Sequence, residues 1–556
     1  MTRLFRTTVL ALGAILLPLL GIGLLAWKGG DHPPTSGSEA AASPRAISWA
    51  QVHDDPTSRL RITAITDMRN LAPEPYGLRL LAEVFSVTYD LSSIDALAYA
   101  RKKALMMAAG QIPDVFTEWP SSLPTSVKQG FIIPVPLALI AEQAPTYARM
   151  VNRYAPYAWR AGMVDGENYA IPLLWMGSRF PRVGLWRMDL LRRAGVAQVP
   201  TTIAEYEDAF HRLQSHDEAD GGRRVYGMGG DLSNWFSSFT EIFGAHGVMP
   251  YDWSMRDGGV VWGGIQPEAR EALAVLQRWY RLGYIHPDFA TDHWADEGKA
   301  KFIDGTVAYH NYLCSFDMLD PGQEDSLINT VRRLDPAADL APAIVPTGPR
   351  GERGHRIWGI NHGFLVFGKP VAQRPEIVLR MLRMIETLMC DEQLYIRSAL
   401  GEEGVHWRFG VGGAGAVGIA PYDSRKVRSQ QALAQLDGIA NHPLLPAVLD
   451  PASAERYTAP AVTAFRRTYT NPDIGRQDLF GNPQPLPDIA PLVGRLIALQ
   501  QTRYAQFITG ARSLDAFGDF VGEWMRSGGD VVLARMQTYY REMQQVSTQM
   551  RDRVGQ

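Results

Sequence analysis

Two cysteines, Cys314 and Cys390, are all that 556 residues contain, so no disulfide framework holds this fold. A single bridge between them stays open, because their separation in space is not readable from sequence. Twelve histidines are scattered without the Cys/His spacing of a metal centre, and neither a metal nor a cofactor is expected. Basic and acidic residues nearly cancel, 55 against 58, and a net charge of −3 leaves no electrostatic footprint for nucleic acid. No G-x-S-x-G elbow, H-E-x-x-H pair or phosphate-binding loop occurs. Lysine is scarce, so arginine supplies most of the positive charge. Forked guanidinium groups suit acidic ligands, although base composition produces the same bias.

What is present is a folded, extracytoplasmic pattern. A hydrophobic content of 46% with 20% charged residues is that of a globular protein, and the length demands two or more lobes. Arg3 and Arg6 precede an uncharged run over 7–27, which at about 1.5 Å per residue spans a bilayer core of roughly 30 Å. The basic flank keeps the N-terminus cytoplasmic. Lys28-Gly29-Gly30-Asp31 is a poor cleavage site, which favours an uncleaved anchor over a signal peptide. Residues 32–45, rich in Pro, Ser, Gly and Ala, read as a tether.

Strands and helices then alternate, which implies a parallel α/β sheet with ligands beyond the carboxyl ends of its strands. A strand is predicted over 60–66, a helix over 76–85, a strand over 86–91 and a helix over 94–109 closed by Gly110. Asp165-Gly166 predicts a turn, followed by a strand over 169–173 that ends near Trp175. A helix over 186–193 stops at Gly195, and Pro200 prevents its continuation. Thr202 and Glu205 form a capping box for a helix whose apolar face carries Ile203, Tyr206, Phe210 and Leu213. Pro267 opens another helix that runs to Gly283, and a strand with its turn is predicted over 358–370, followed by a helix over 375–390.

The order of turn, strand, aromatic, Gly-stopped helix, Pro-Thr-Thr and capped helix over 164–210 resembles the crossover segment of carbohydrate-binding proteins that serve ABC importers. Further pieces resemble that family in the expected order. They are Ala108-Ala109-Gly110-Gln111-Ile112-Pro113-Asp114-Val115, Gly283-Tyr284-Ile285-His286-Pro287-Asp288-Phe289, Phe302-Ile303-Asp304-Gly305-Thr306-Val307-Ala308 and Gly401-Glu402-Glu403-Gly404-Val405-His406-Trp407. The likeness is greatest to the larger, oligosaccharide-binding branch, which includes lipoproteins and alginate-oligosaccharide binders. It implies an α/β, two-lobed periplasmic-binding-protein-like clamshell of type II. The expected division is 1–30 signal peptide or anchor, 31–56 linker, 57–180 first part of lobe 1, 181–357 first part of lobe 2, 358–450 return to lobe 1, and 451–556 C-terminal helices completing lobe 2. Lipoproteins of the family carry a cysteine just after the apolar segment; here there is none, so that anchoring is excluded. Some relatives carry a calcium loop near 217–222, but alignment on Gly221 places His216, Glu218 and Asp220 at its first ligand positions and Gly227 where a bidentate carboxylate stands. Calcium is not expected.

Sugars present flat apolar faces and polar rims, so a binder needs aromatic platforms beside hydrogen-bonding groups. Fourteen Trp and 21 Tyr supply platforms in excess of ordinary core filling. The candidate ligand contacts are Asp67, Arg69, Glu118, Trp119, Trp175, Arg179, Trp235, Tyr312, Trp358 and Trp407, with Arg69 and Arg179 suited to a uronate carboxylate. The resemblance implies a non-enzymatic, extracytoplasmic protein that captures an oligosaccharide between its lobes and delivers it to permease subunits, attached to the cytoplasmic membrane through its N-terminal segment. Two other readings stay open: a tethered sugar receptor for a membrane sensor, and a glycoside-acting enzyme with Asp67 and Glu118 as its carboxylates.

Overall fold

The computed structural model describes residues 47–555, apart from 67–75, 95, 221–223, 232–237, 293–296, 323–325, 414, 420–444, 446 and 482–485, and it gives no side chains for 96, 97, 217–220, 312 and 313. The predicted anchor over 7–27 therefore lies outside the described residues; of the degraded calcium loop, 221–223 lie outside them, while 217–220 end the helix Ile203–Asp220. Among the described residues no helix is long and apolar enough to cross a membrane, and no group of His, Cys, Asp and Glu is placed to hold a metal ion. Cys314 is buried, Cys390 is exposed, and the two do not pair.

Two sheets organise the described chain. The first has five strands in the order Val87–Ser93, Leu60–Thr66, Val115–Glu118, Asn361–Phe367 and Ile171–Leu174. The first three are parallel, and Asn361–Phe367 runs antiparallel to both of its neighbours, with Phe364 opposite Glu118 on one side and Pro172 on the other. Its last five residues are all buried, as expected of a strand covered on both faces. The second sheet orders its strands Leu340–Pro342, Val183–Arg187, Val307–Cys314 and Tyr226–Met228. The chain therefore leaves the first sheet after Leu174, builds the second, and returns to the middle of the first at Asn361.

Local chemistry sets the element boundaries. Asp165 and Gly166 take positive φ, 49° and 86°, in the tight turn between strands Met163–Val164 and Glu167–Asn168. The capping box is present: the Glu205 amide donates to Thr202 Oγ1 at 3.1 Å, and the Thr202 amide donates to Glu205 Oε2 at 3.2 Å. The helix predicted over 186–193 is shorter than expected, because Val183–Arg187 is a strand and only Met188–Arg193 is helical. All five residues of that strand are buried, so apolar spacing there cannot distinguish strand from helix.

An aromatic core lies beneath the second sheet, where Trp186 meets Tyr309 at 4.7 Å and Tyr206 at 4.8 Å between ring centroids, and Phe210 meets Trp279 edge-on at 5.2 Å. Gly184 has no side chain because the Tyr309 ring occupies that place. The closing helix Asp530–Val554 packs against helices Leu137–Gln143, Pro145–Tyr154 and Tyr157–Ala161, which accompany the first sheet, and also against strand Gly259–Trp262.

The start of the described chain is held by one buried cation. Arg380, in helix Glu376–Cys390, is fully buried; it donates to Asp54 from Nε and Nη2 and to the carbonyls of Ser58, Phe85 and Ser86 from Nη1. Removing one member of a buried, multiply bonded pair strands the other charge. Arg380→Ala is expected to destabilise the protein by about 3 kcal/mol in equilibrium urea unfolding; a loss below about 1 kcal/mol would show that Arg383, 3.1 Å from Asp54, suffices alone.

Candidate functional site

The strand directions bring the ends at Thr66, Glu118 and Leu174 to the same edge of the first sheet as the beginning of Asn361–Phe367. Trp119 and Trp175 project there, each 45% exposed. Trp175 is fixed rather than loose: its amide donates to the Ile360 carbonyl at 2.8 Å, and its ring meets His362 edge-on at 4.4 Å. The two chain crossings between the sheets are thus tied together at this residue.

Beside it lies a cavity of about 680 Å³, walled by both crossings, by the end of Val307–Cys314 and by helix Pro460–Tyr469. Trp175, Phe180, Phe316, Trp358 and Phe465 supply aromatic surface, and Ser315, Asp317, Asp320, Arg182, Arg356 and Arg466 supply polar groups. Flat apolar rings among donors and acceptors match the two kinds of surface a sugar offers. Trp358 is held by Arg356, whose guanidinium lies 5.0 Å from the centre of its ring.

Of the residues predicted from sequence, Trp175 and Trp358 line this cavity. Trp119 stands at the same edge but does not line it. Arg179 stacks over Tyr154 at 5.1 Å and opens on an adjoining cavity of about 580 Å³ that shares Phe180 and Arg466 with the first. Two assignments are corrected. Glu118 is 1% exposed, and its oxygens accept from Lys103 Nζ at 2.6 Å, from Ser126 Oγ at 2.7 Å and from Ser122. It shapes the loop that carries Trp119 and has no free oxygen for a ligand or for acid catalysis with Asp67. Trp407 is buried against Phe409 and Tyr457, and its indole donates to the Gly401 carbonyl at 3.0 Å, so it is packing. Asp67, Arg69 and Trp235 lie outside the described residues, and Tyr312 falls in strand Val307–Cys314 with its side chain outside them.

Sequence reasoning missed Phe180, Phe316, Phe465 and Arg466. Phe316 was within reach of the strand-end argument: the strand runs on to Cys314, so its end lies beyond Tyr312. Phe465 and Arg466 sit on a helix whose apolar spacing reads as ordinary amphipathic packing.

Behind Arg356 is a buried acid pair. Arg356 Nε donates to Asp252 Oδ1 at 2.7 Å, and Asp478 accepts the amides of Trp253 and Phe480, each at 2.7 Å. Burial raises the Asp252 carboxyl, while burial and the neighbouring Asp252 charge push Asp478 up to about 8. One guanidinium serves two carboxylates, so the folded pair keeps a proton that the unfolded chain has lost above about pH 4.

Residues 86–363 match the sequence profile of the bacterial extracellular solute-binding proteins, half of the chain. The chain belongs to that family. No curated protein sequence matches this solute-binding protein. Among solved structures, the alginate-binding protein AlgQ2, crystallised without calcium ion, is 16% identical and superposes with a TM-score of 0.58 over 87% of this chain and 98% of its own. The S. pneumoniae ABC-transporter substrate-binding protein FusA in complex with kestose is 17% identical, with a TM-score of 0.57 over 88% and 99%. An HMO-binding, ABC-transporter-associated solute-binding protein from Bifidobacterium longum infantis is 14% identical, with a TM-score of 0.59 over 87% and 98%. The shared fold is the two-lobed α/β fold of type II periplasmic binding proteins, as the family resemblance implied.

The acid pair gives the solute-binding protein a defined pH response. Groups whose folded pKa is raised lose their stabilising contribution as pH rises from the unfolded to the folded value, by up to about 1.4 kcal/mol per pH unit for one proton. Glu241, raised to about 7 by burial, acts in the same sense, whereas His310 and His355, lowered to about 4 by burial, act oppositely below their ordinary range. Urea unfolding from pH 6.5 to 8 is therefore expected to show falling stability, with a flatter slope in Asp252→Asn; parallel slopes would mean that the pair holds no extra proton.

Proposed function

We propose that this protein is the substrate-binding component of an ABC importer and captures an oligosaccharide in the cavity between its two sheets. The observation that carries the reading is the cavity itself, with five aromatic rings and interleaved polar groups gathered at the paired crossings. Structural neighbours support the same reading, since one is an alginate-binding protein and another is a substrate-binding protein in complex with kestose. The proposed lobes are 57–180 with 358–450 on one side and 181–357 on the other; the helix Asp530–Val554, expected to complete the second lobe, packs against elements of both. Contacts from both lobes favour the closed form only by the ligand's differential affinity for it. The closed form then docks on permease subunits, with the protein outside the cytoplasmic membrane and its N-terminal segment attached to it.

Trp175 and Trp358 are the proposed platforms, with Trp119 at the rim. One stacked ring contributes about 0.5 to 1.5 kcal/mol beyond area burial, so Trp175→Ala and Trp358→Ala are each expected to raise the sugar Kd about 2- to 12-fold. Titration calorimetry against oligosaccharides, with product analysis, measures this. Unchanged affinity in both variants would displace the site, and consumed sugar would make the protein an enzyme.

A further inference from the structure

The cavity holds more positive charge than its own carboxylates neutralise. Arg179, Arg182 and Arg466 gather around Phe180 and open on the two joined cavities. Arg466 lies face-on over the Phe180 ring, 4.3 Å from its centre. None of the three makes an ion pair or a side-chain hydrogen bond with a described residue. Elsewhere in the chain partly buried arginines have found carboxylates, as Arg503 has Glu523 at 2.6 Å and Arg160 has Glu542 at 2.6 Å. Burial without a counter-charge holds the Arg466 guanidinium below its ordinary range. The acids nearby do not answer it. Asp320 accepts the Gly322 amide at 2.9 Å, Asp317 is exposed, and Glu455 stands 3.9 Å from Arg467.

We infer that the ligand carries an anionic group, the carboxylate of a uronic acid or a sulfate ester, held by the fork of Arg466 against Phe180 with Arg182 beside it. The inference rests on the sugar-binding reading and narrows it to acidic oligosaccharides. The chemistry is specific: a planar guanidinium pinned on a ring keeps its N–H edge free and pre-oriented for two parallel bonds to a carboxylate or sulfate. A lysine in its place would bring charge without that geometry. Desolvating a guanidinium is costly, and a bound anion offsets that cost where no side chain does.

The test uses the full-length protein and three tetrasaccharides of one backbone: an oligogalacturonide, its carboxyl-reduced neutral counterpart, and a sulfated form of the neutral one. The galacturonide or the sulfated form is expected to bind at least tenfold more tightly than the neutral sugar at low salt, and which of them does so identifies the anion. Arg466→Gln is expected to abolish that preference, measured as the ratio of anionic to neutral affinity; Arg466→Lys is expected to retain only part of it. A melting temperature of each variant within a few degrees of the parent's excludes misfolding as the cause. Equal binding of all three sugars by the parent protein overturns the inference and leaves sugar binding standing. Undiminished preference in Arg466→Gln overturns the assignment of the anion to this arginine. Binding of none of the three overturns the sugar-binding reading, and this inference with it.

Discussion

The position of one strand governs the rest. Asn361–Phe367 lies between Val115–Glu118 and Ile171–Leu174, so the first sheet is not continuous until the chain has built the second sheet and come back. Four consecutive buried apolar residues on that strand, Phe364 to Phe367, each worth about 1.5 to 3 kcal/mol when fully removed from water, favour its return to the first sheet. The route also fixes where the crossings lie. Both must pass the same edge, and the bond from Trp175 to the Ile360 carbonyl joins them. A cavity bounded by two adjoining crossings is accessible to both halves of the molecule, which is the geometry that a two-lobed binder needs.

Much of this was legible in the sequence because the signals were local. Local patterning, with Gly110 as a stop, placed Leu60–Thr66, Tyr76–Val84, Val87–Ser93 and Ala96–Ala108 within a few residues, and the Thr202/Glu205 box marked its helix start correctly. Trp186 and Arg187 were read as the start of a helix because a strand buried on both faces shows no alternation. The pairing order was not visible in any local pattern, since register between Phe364 and Glu118 joins residues far apart in the chain.

The site was legible only in part, and the division has a physical cause. Trp175 and Trp358 stand on the crossings, where strand-end reasoning applies. Glu118 and Trp407 met the same sequence criterion yet were taken up by the interior, Glu118 because Lys103 and two serines surround it, Trp407 because Phe409 and Tyr457 do. A polar or aromatic residue at a strand end points either to solvent or to its neighbours, and only its partners decide which. The arginine cluster around Phe180 is a property of two segments brought together, and neither advertises it alone.

The clamp on the first described residues has a mechanical side. Arg380 grips Asp54 and belongs to a helix that packs on Pro145–Tyr154, in the layer over the first sheet. A pull arriving at Asp54 is passed through Arg380 to that layer. In a protein held by its leading end, the half that carries Arg380 would serve as the mount, and the strands Val183–Arg187 and Val307–Cys314 take no part in that clamp.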